Sequence, residues 1–336
     1  MTIKDIAKSC GVSVSTVSRV LNERPDVSED VRRRVLSVVE ATGYIPNNSA
    51  RELVKSSSDT IGVVVRGTGN LFFSAMLKAL SSEIDRRGYT MALRFIDTDA
   101  DEVKAAAILE REKRLRGIMF LGGRQDYTPA ELSLVTVPYI CCSYSNHFGS
   151  LRDSDYSSIS IDDRDTAYRA VDKLISLGHE RIAALVASRS DRSISELRYE
   201  GYRSALRDHG IEFQPELLIE AGNFEMDDAY RAMNRLIESG TEFSAVFAIS
   251  DTSGLAAIKA LSEHGIKVPE DCSVIGIDGL YVSQYFNPTL STMVQPAEEM
   301  GRQSVDILLN VIEKGAPARH VRVEAKLREG GSLAKK

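Results

Sequence analysis

TIKDIAKSCGVSVSTVSRVLN, residues 2–22, sets apolar residues at helical spacing on either side of one glycine, Gly11. Ile3, Ile6 and Ala7 make one stripe, and Val17, Val20 and Leu21 make a second. Thr2 followed by Asp5 reads as a helix start, with the hydroxyl capping and the carboxylate near the positive helix end. Gly11 ends that helix, because glycine enters the left-handed region without a Cβ penalty. Ser13 then caps a second helix, which leaves Val14, Ser15, Ser18 and Arg19 on its outer face. SEDVRRRVLSVVEATG, residues 28–43, predicts a third helix with Val31, Val35, Val38 and Val39 turned inward.

Three short helices, the first two joined by a glycine-containing turn, form a helix-turn-helix unit. A major groove about 12 Å wide admits one such helix, and residues near its N-terminus reach base edges. Val14 can touch a thymine methyl, Ser15 can donate or accept, and the Arg19 fork matches guanine O6 and N7. Thr2, Ser13 and Ser18 can bond phosphate oxygens, which positions the helix without reading sequence. The alternative reading of these forty residues alone is a small helical cap with an ordinary solvated face.

Outside this segment the chain is ordinary in bulk. Its 336 residues are 43% hydrophobic and 27% charged, enough for two or three domains with sizeable cores. The net charge of −6 is uneven: residues 1–57 carry nine Lys/Arg against seven Asp/Glu, and the remainder is acidic. That asymmetry suits an N-terminal segment that meets a polyanion. No apolar run reaches the ~18 residues of a membrane span and no signal-peptide core opens the chain, so a cytoplasmic protein without membrane partners is expected. Cys10, Cys141, Cys142 and Cys272 show neither metal spacing nor a disulfide framework.

Residues 2–22, together with VSEDVRRRVLSVVEATGYIPN (residues 27–47), closely resemble the DNA-reading head of the lactose/galactose repressor (LacI/GalR) family. By composition NNSARELVKSSSD reads as a linker, while the resemblance implies a hinge helix within residues 47–58. It places Asn47 at the start of that hinge, and Leu53 where the family wedges a leucine between base steps in the minor groove.

From residue 59 onward, continuous apolar runs such as TIGVVV, IMFLGG, RIAALVA, AVFAIS and CSVIGID alternate with amphipathic helices. This predicts parallel sheets covered on both faces, too long for one core and so divided between two α/β lobes. We expect a helix-turn-helix head over 1–46 and a core over 59–336, with lobe one at about 59–158 plus 292–328 and lobe two at about 159–291. A small ligand would lie between the lobes at the carboxyl ends of the strands. The core also resembles the family's regulatory domain, which looks like a periplasmic sugar-binding protein, through LISLGHERIAAL, VPEDCSVIGIDG and PTLSTMVQPAEEMG. The resemblance implies effector contacts at Phe72, Phe73, Ser143, Arg192, Arg198, Phe224, Ser250 and Asp278. Ser143 stands where sugar-binding members usually carry Asp or Asn, Ser250 where Asn is common, and Asp278 is followed by Gly279 instead of a second Asp.

No phosphate loop, dinucleotide fingerprint, zincin motif or nucleophile elbow occurs. His147, His179, His209, His264 and His320 lack metal spacing. An enzyme is therefore not expected, and neither is a cofactor or metal. The expectation is a ligand-controlled transcription repressor that binds a pseudo-palindromic duplex as a homodimer, with tetramers left open. A small-molecule receptor without a DNA role is the alternative, and an enzyme carrying a DNA-binding head is a third reading.

Overall fold

The computed structural model describes residues 2–21, 24, 26–42, 59–67, 70–188, 192–222 and 224–336. The chain forms two compact units, Met1–Ser58 and Asp59–Lys336.

In the first unit, α1 spans Ile3–Cys10, α2 Val14–Leu21 and α3 Glu29–Thr42. Thr2 and Asp5 form a complete capping box: Asp5 N–H donates to Thr2 Oγ1 at 3.4 Å and Thr2 N–H to Asp5 Oδ2 at 2.8 Å. Donation from the Thr2 N–H and hydroxyl to Asp5 Oδ2 holds the Asp5 carboxyl below its ordinary pKa. Gly11, at φ 63°, turns the chain toward α2. Thr16 N–H then donates to Ser13 Oγ at 3.1 Å, so Ser13 caps α2 as its position predicts. Ile6, Ala7, Cys10, Val17, Val20 and Val35 are buried together, with Val31, Val38 and Val39 packed at the edge. Each large apolar side chain in that cluster contributes about 1.5–3 kcal/mol. Asn47 and Leu53, with the rest of the expected hinge, lie outside the described residues.

The second unit begins with β1 (Thr60–Arg66), α4 (Phe72–Arg86), β2 (Thr90–Ile96), α5 (Glu102–Lys113), β3 (Gly117–Leu121), α6 (Pro129–Leu132), β4 (Tyr139–Cys142) and β5 (Ser157–Ser160). There follow α7 (Asp163–Ser176), β6 (Ile182–Val186), α8 (Ile194–Asp208), β7 (Leu218–Glu220), α9 (Met226–Glu238), β8 (Ala245–Ala248), α10 (Asp251–Glu263), β9 (Ser273–Asp278) and β10 (Ser291–Val294). The last elements are α11 (Ala297–Lys314), β11 (His320–Arg322) and β12 (Lys326–Arg328).

These strands make two six-stranded sheets, ordered β11-β5-β4-β3-β1-β2 and β12-β10-β9-β8-β6-β7. All pairings are parallel except β10 with β12. Alternate side chains on each strand enter opposite cores, which is why the strands read as unbroken apolar runs. Val63, Val65, Met119 and Leu121 face α4 and α11, whereas Val64, Ile118 and Phe120 face α5. In the second sheet Ile182, Ala184 and Val186 face α7 and α8, whereas Ala183 and Leu185 face α9 and α10. Gly201 lets α7 and α8 approach, since a Cβ there would sit 2.2 Å from the Arg164 carbonyl oxygen.

The chain passes between lobes at residues 161–162, 295–296 and 323–325. The expected assignment of 292–328 to lobe one needs correction at both ends. Strand β10 pairs with β9, and β12 pairs with β10, so only α11 and β11 return to the first sheet. Stretch 144–156 is a loop within lobe one.

Candidate functional site in the head and between the lobes

Helix α2 presents two faces. Val17 and Val20 are fully buried, whereas Ser13, Val14 (39% exposed), Ser15 and Arg19 face solvent. Ser18 is half-buried. The hydroxyls of Thr2 and Ser13, expected on phosphates, are engaged as helix caps. Arg19 Nη1 lies 3.5 Å from Asp26 Oδ2, with both side chains more than half exposed. A pair so exposed is worth about 0.2–1 kcal/mol and yields readily to a stronger partner. The resulting surface is a rigid helix offering one methyl-contacting side chain, hydroxyls and one guanidinium, the set that reads base edges in a major groove.

In the second unit, both sheets reverse strand order beside their first strand, at β1/β3 and β6/β8. A cavity of about 60 Å³ lies where these two carboxyl edges meet, lined from lobe one by Arg66, Asn70, Phe73, Thr98, Gly122 and Ser143 and from lobe two by Ser188, Ser193 and Phe224 among others. Ser143 adopts φ 66°, a left-handed conformation that Asn and Asp enter more readily than serine. Next to the lining residue Ser193, Gln125 N–H donates to the Arg192 carbonyl at 2.7 Å and the Arg192 guanidinium sits 5.3 Å from the Phe148 ring centre.

The expected effector residues are only partly brought together. Phe73, Ser143 and Phe224 line the cavity. Arg192 is not among the lining residues and stacks on Phe148, while Phe72, buried beside Phe73, borders a separate groove with Leu71, Tyr281 and Pro296. Ser250 is a helix cap: its Oγ accepts the Ser253 N–H at 3.1 Å. Arg198 is 1% exposed, and its Nε donates to Asp163 Oδ1 at 2.8 Å. Asp278, at φ 132°, lies 3.6 Å from Arg198 Nη1 and accepts from Gln295 Nε2 at 2.8 Å. Burial pushes its carboxyl up to about 7 and that of nearby Asp251 to about 6. Arg198 and Asp278 thus belong to a buried network beside the lobe crossings.

Sequence reasoning missed Arg66, Asn70, Thr98, Ser188 and Ser193. Arg66 had a signal, since it ends the first strand of an alternating α/β core, where ligands gather. His179 is structural: its ring nitrogens meet Ser244 Oγ at 2.9 Å and Ser273 Oγ at 3.0 Å. Among the described residues, no group of His, Cys, Asp or Glu is arranged to hold a metal ion, and no helix is long and apolar enough to cross a membrane.

A base-reading helix in one unit and a two-lobed ligand-binding fold in the other define a DNA-binding transcription regulator. The family described as bacterial regulatory proteins, lacI family, matches residues 2–47, and a periplasmic binding protein-like domain matches residues 171–333. The HTH-type transcriptional regulator MalR of Clostridium butyricum is 37% identical over 334 residues, 99% of each chain. The HTH-type transcriptional repressor PurR of Haemophilus influenzae (strain PittEE) is 32% identical over 315 residues, 93% of this chain and 91% of that one. Among solved structures, the Lac repressor dimer bound to operator and the anti-inducer ONPF matches at TM-score 0.79 with 26% identity, and a transcriptional regulator CelR–cellobiose complex at 0.73 with 28%, each covering 99% of both chains. The chain belongs to the lacI family of bacterial regulatory proteins.

Proposed function

We propose that the chain is a cytoplasmic repressor, without catalytic activity, that binds a pseudo-palindromic operator as a dimer and answers to a small hydroxylated metabolite held between its lobes. The carrying observation is the exposed Ser13, Val14, Ser15, Arg19 face of α2 on a fully packed three-helix head. Support for the effector comes from the interlobe cavity. At about 60 Å³ it is far below the roughly 300 Å³ at which ligand pockets begin, so entry requires the lobes to part. Parting changes the angle between lobes, a two-state coupling of about 1–3 kcal/mol when both ligands prefer different states.

Selection of duplexes from a random pool, followed by anisotropy titration, tests the reading. An inverted repeat with half-sites about one helical turn apart is expected. Enrichment of no motif would defeat it. In the same assay Leu53→Ala is expected to lower operator affinity while sedimentation shows the dimer intact, as loss of a minor-groove wedge requires. Unchanged affinity would remove Leu53 from the interface.

For the dimer face we propose the aromatic patch Tyr281 (72% exposed), Val282, Tyr285 (69%) and Phe286, which adjoins the groove with Leu71. Exposed aromatics clustered in this way are characteristic of protein contacts. Tyr285→Glu should place a charge in that interface and shift the sedimenting species to monomer, with operator affinity falling in parallel. A persistent dimer would locate the interface elsewhere.

A further inference from the structure

We infer that the interlobe cavity receives an oxyanion anchored by Arg66, so that the effector is a hydroxylated metabolite bearing a carboxylate or a phosphate. This rests on the reading of the cavity as the effector site. Among the described residues that line it, Arg66 carries the sole formal charge. Its side chain is nine-tenths buried at the end of β1, beside the point where strand order reverses. A guanidinium offers five N–H donors in a fixed fork and no acceptor. Around it stand hydroxyls of Thr98, Ser143, Ser188 and Ser193 and the amide of Asn70, whose Oδ1 accepts the Phe72 N–H at 3.1 Å, with Phe73 and Phe224 bordering the space for an apolar ring face.

The charge balance of the described lining bears on the ligand's polarity. A neutral sugar presents many O–H donors, and proteins usually meet them with carboxylates or amide oxygens that accept bidentately. The buried carboxylates of this core are committed elsewhere. Glu102 forms an ion pair with Arg66 at 3.8 Å, and also accepts the Arg124 N–H at 2.9 Å and the Tyr127 hydroxyl. Asp163 holds Arg198, Asp278 holds the Gln295 amide, and Asp251 accepts the Leu280 N–H at 2.7 Å. None of them lines the cavity. Serine stands at 143, where an acidic or amide side chain would have served a sugar diol. The described lining carries one cation and no anion, so a ligand that brings a charged acceptor gains most from this guanidinium screened from water.

The test uses the full chain in thermal unfolding and calorimetry with D-gluconate, D-glucuronate and glucose 6-phosphate, against D-glucose, maltose and inorganic phosphate. An anionic sugar is expected to raise the unfolding midpoint with occupancy while the neutral sugars leave it unmoved. Whether the carboxylates or the phosphate ester respond identifies the source of the oxyanion. Arg66→Met should then weaken that ligand about ten- to a hundredfold, as loss of a charge-assisted bond predicts, and Arg66→Lys should retain part of the affinity. Should Arg66→Met fail to fold because Glu102 is stranded, the double variant with Glu102→Gln removes both charges and reports the same loss.

The inference falls if glucose or maltose stabilises the chain while every anionic sugar is silent, or if the whole panel is silent. It falls too if inorganic phosphate acts as strongly as the phosphate ester, or if Arg66→Met binds the anionic sugar unchanged. Sequence-specific operator binding by the parent stands or falls on its own, so failure of the anion and failure of the regulator are told apart.

Discussion

Arg198→Met is expected to destabilise the second unit by about 3–5 kcal/mol at pH 8, the range for removing one partner from a buried charge pair. Arg198 is 1% exposed and bonds both the Asp163 carboxylate and the Ile249 carbonyl. Methionine fills similar volume but leaves Asp163 and Asp278 without their cation. The penalty should be smaller at pH 5, because protonation neutralises carboxyls that burial already raises. For Asp278 the direction follows from its pKa of about 7 in the folded core against about 3.9 in an open chain. A carboxyl raised on folding supports the fold while protonated, and that support is lost as pH climbs from about 4 through 7. His179, held low by burial, pulls the other way below pH 6.5. The difference between parent and Asp278→Asn isolates the carboxyl: the parent's relative stability should decline across pH 4–7. Urea unfolding at pH 5 and pH 8 checks both. A loss under about 1 kcal/mol for Arg198→Met at pH 8 would mean the network is far wetter than its geometry implies.

Arg19→Ala is expected to have the largest effect on DNA. A bidentate contact to guanine is worth about 1–3 kcal/mol of discrimination, and a dimer makes it at both half-sites, so operator affinity should fall by roughly the square of the single-site factor. Arg19 is available because its partner Asp26 is as exposed as itself, 3.5 Å away across the turn before α3. Exchanging that weak pair for a guanine edge gains specificity. Anisotropy titration on the operator, on an operator with one guanine replaced per half-site, and on random duplex gives the answer. The expected result is a loss confined to the intact operator. Equal losses on all three, with a reduced salt slope, would assign Arg19 to phosphate.

The head was readable from sequence because its signals are local. Thr2, Asp5, Gly11 and Ser13 act within a turn of their own helices, and the buried valines repeat at helical spacing. Alternation of strands and helices likewise announced two parallel sheets. Pairing of distant strands carries no such local mark, so the sequence alone puts β10 and β12 in the wrong lobe. The cavity was legible in part. Phe73, Ser143 and Phe224 line it, yet Arg198 and Asp278 point into each other and Ser250 caps its own helix. Residue type alone does not tell a side chain that borders an open space from one that pairs with another side chain in the core. Arg66 escaped notice because a single arginine after an apolar strand has an ordinary surface role in most chains.

The return of α11 to the first lobe has a consequence for how the protein is made. Met300, Val305, Leu308 and Leu309 of that helix cover the sheet face formed by Ile140, Cys142 and the residues of β1 and β3. Strand β5 ends at Ser160 and α11 at Lys314. At about 5–20 residues per second, a ribosome needs roughly 8–30 s to deliver the helix after the sheet's central strands have emerged. Throughout that interval the face has only α4 against it, although the head is already complete enough to fold. The nascent chain therefore has its strongest call on chaperones in mid-synthesis, when it carries a finished DNA-reading head and a half-covered core.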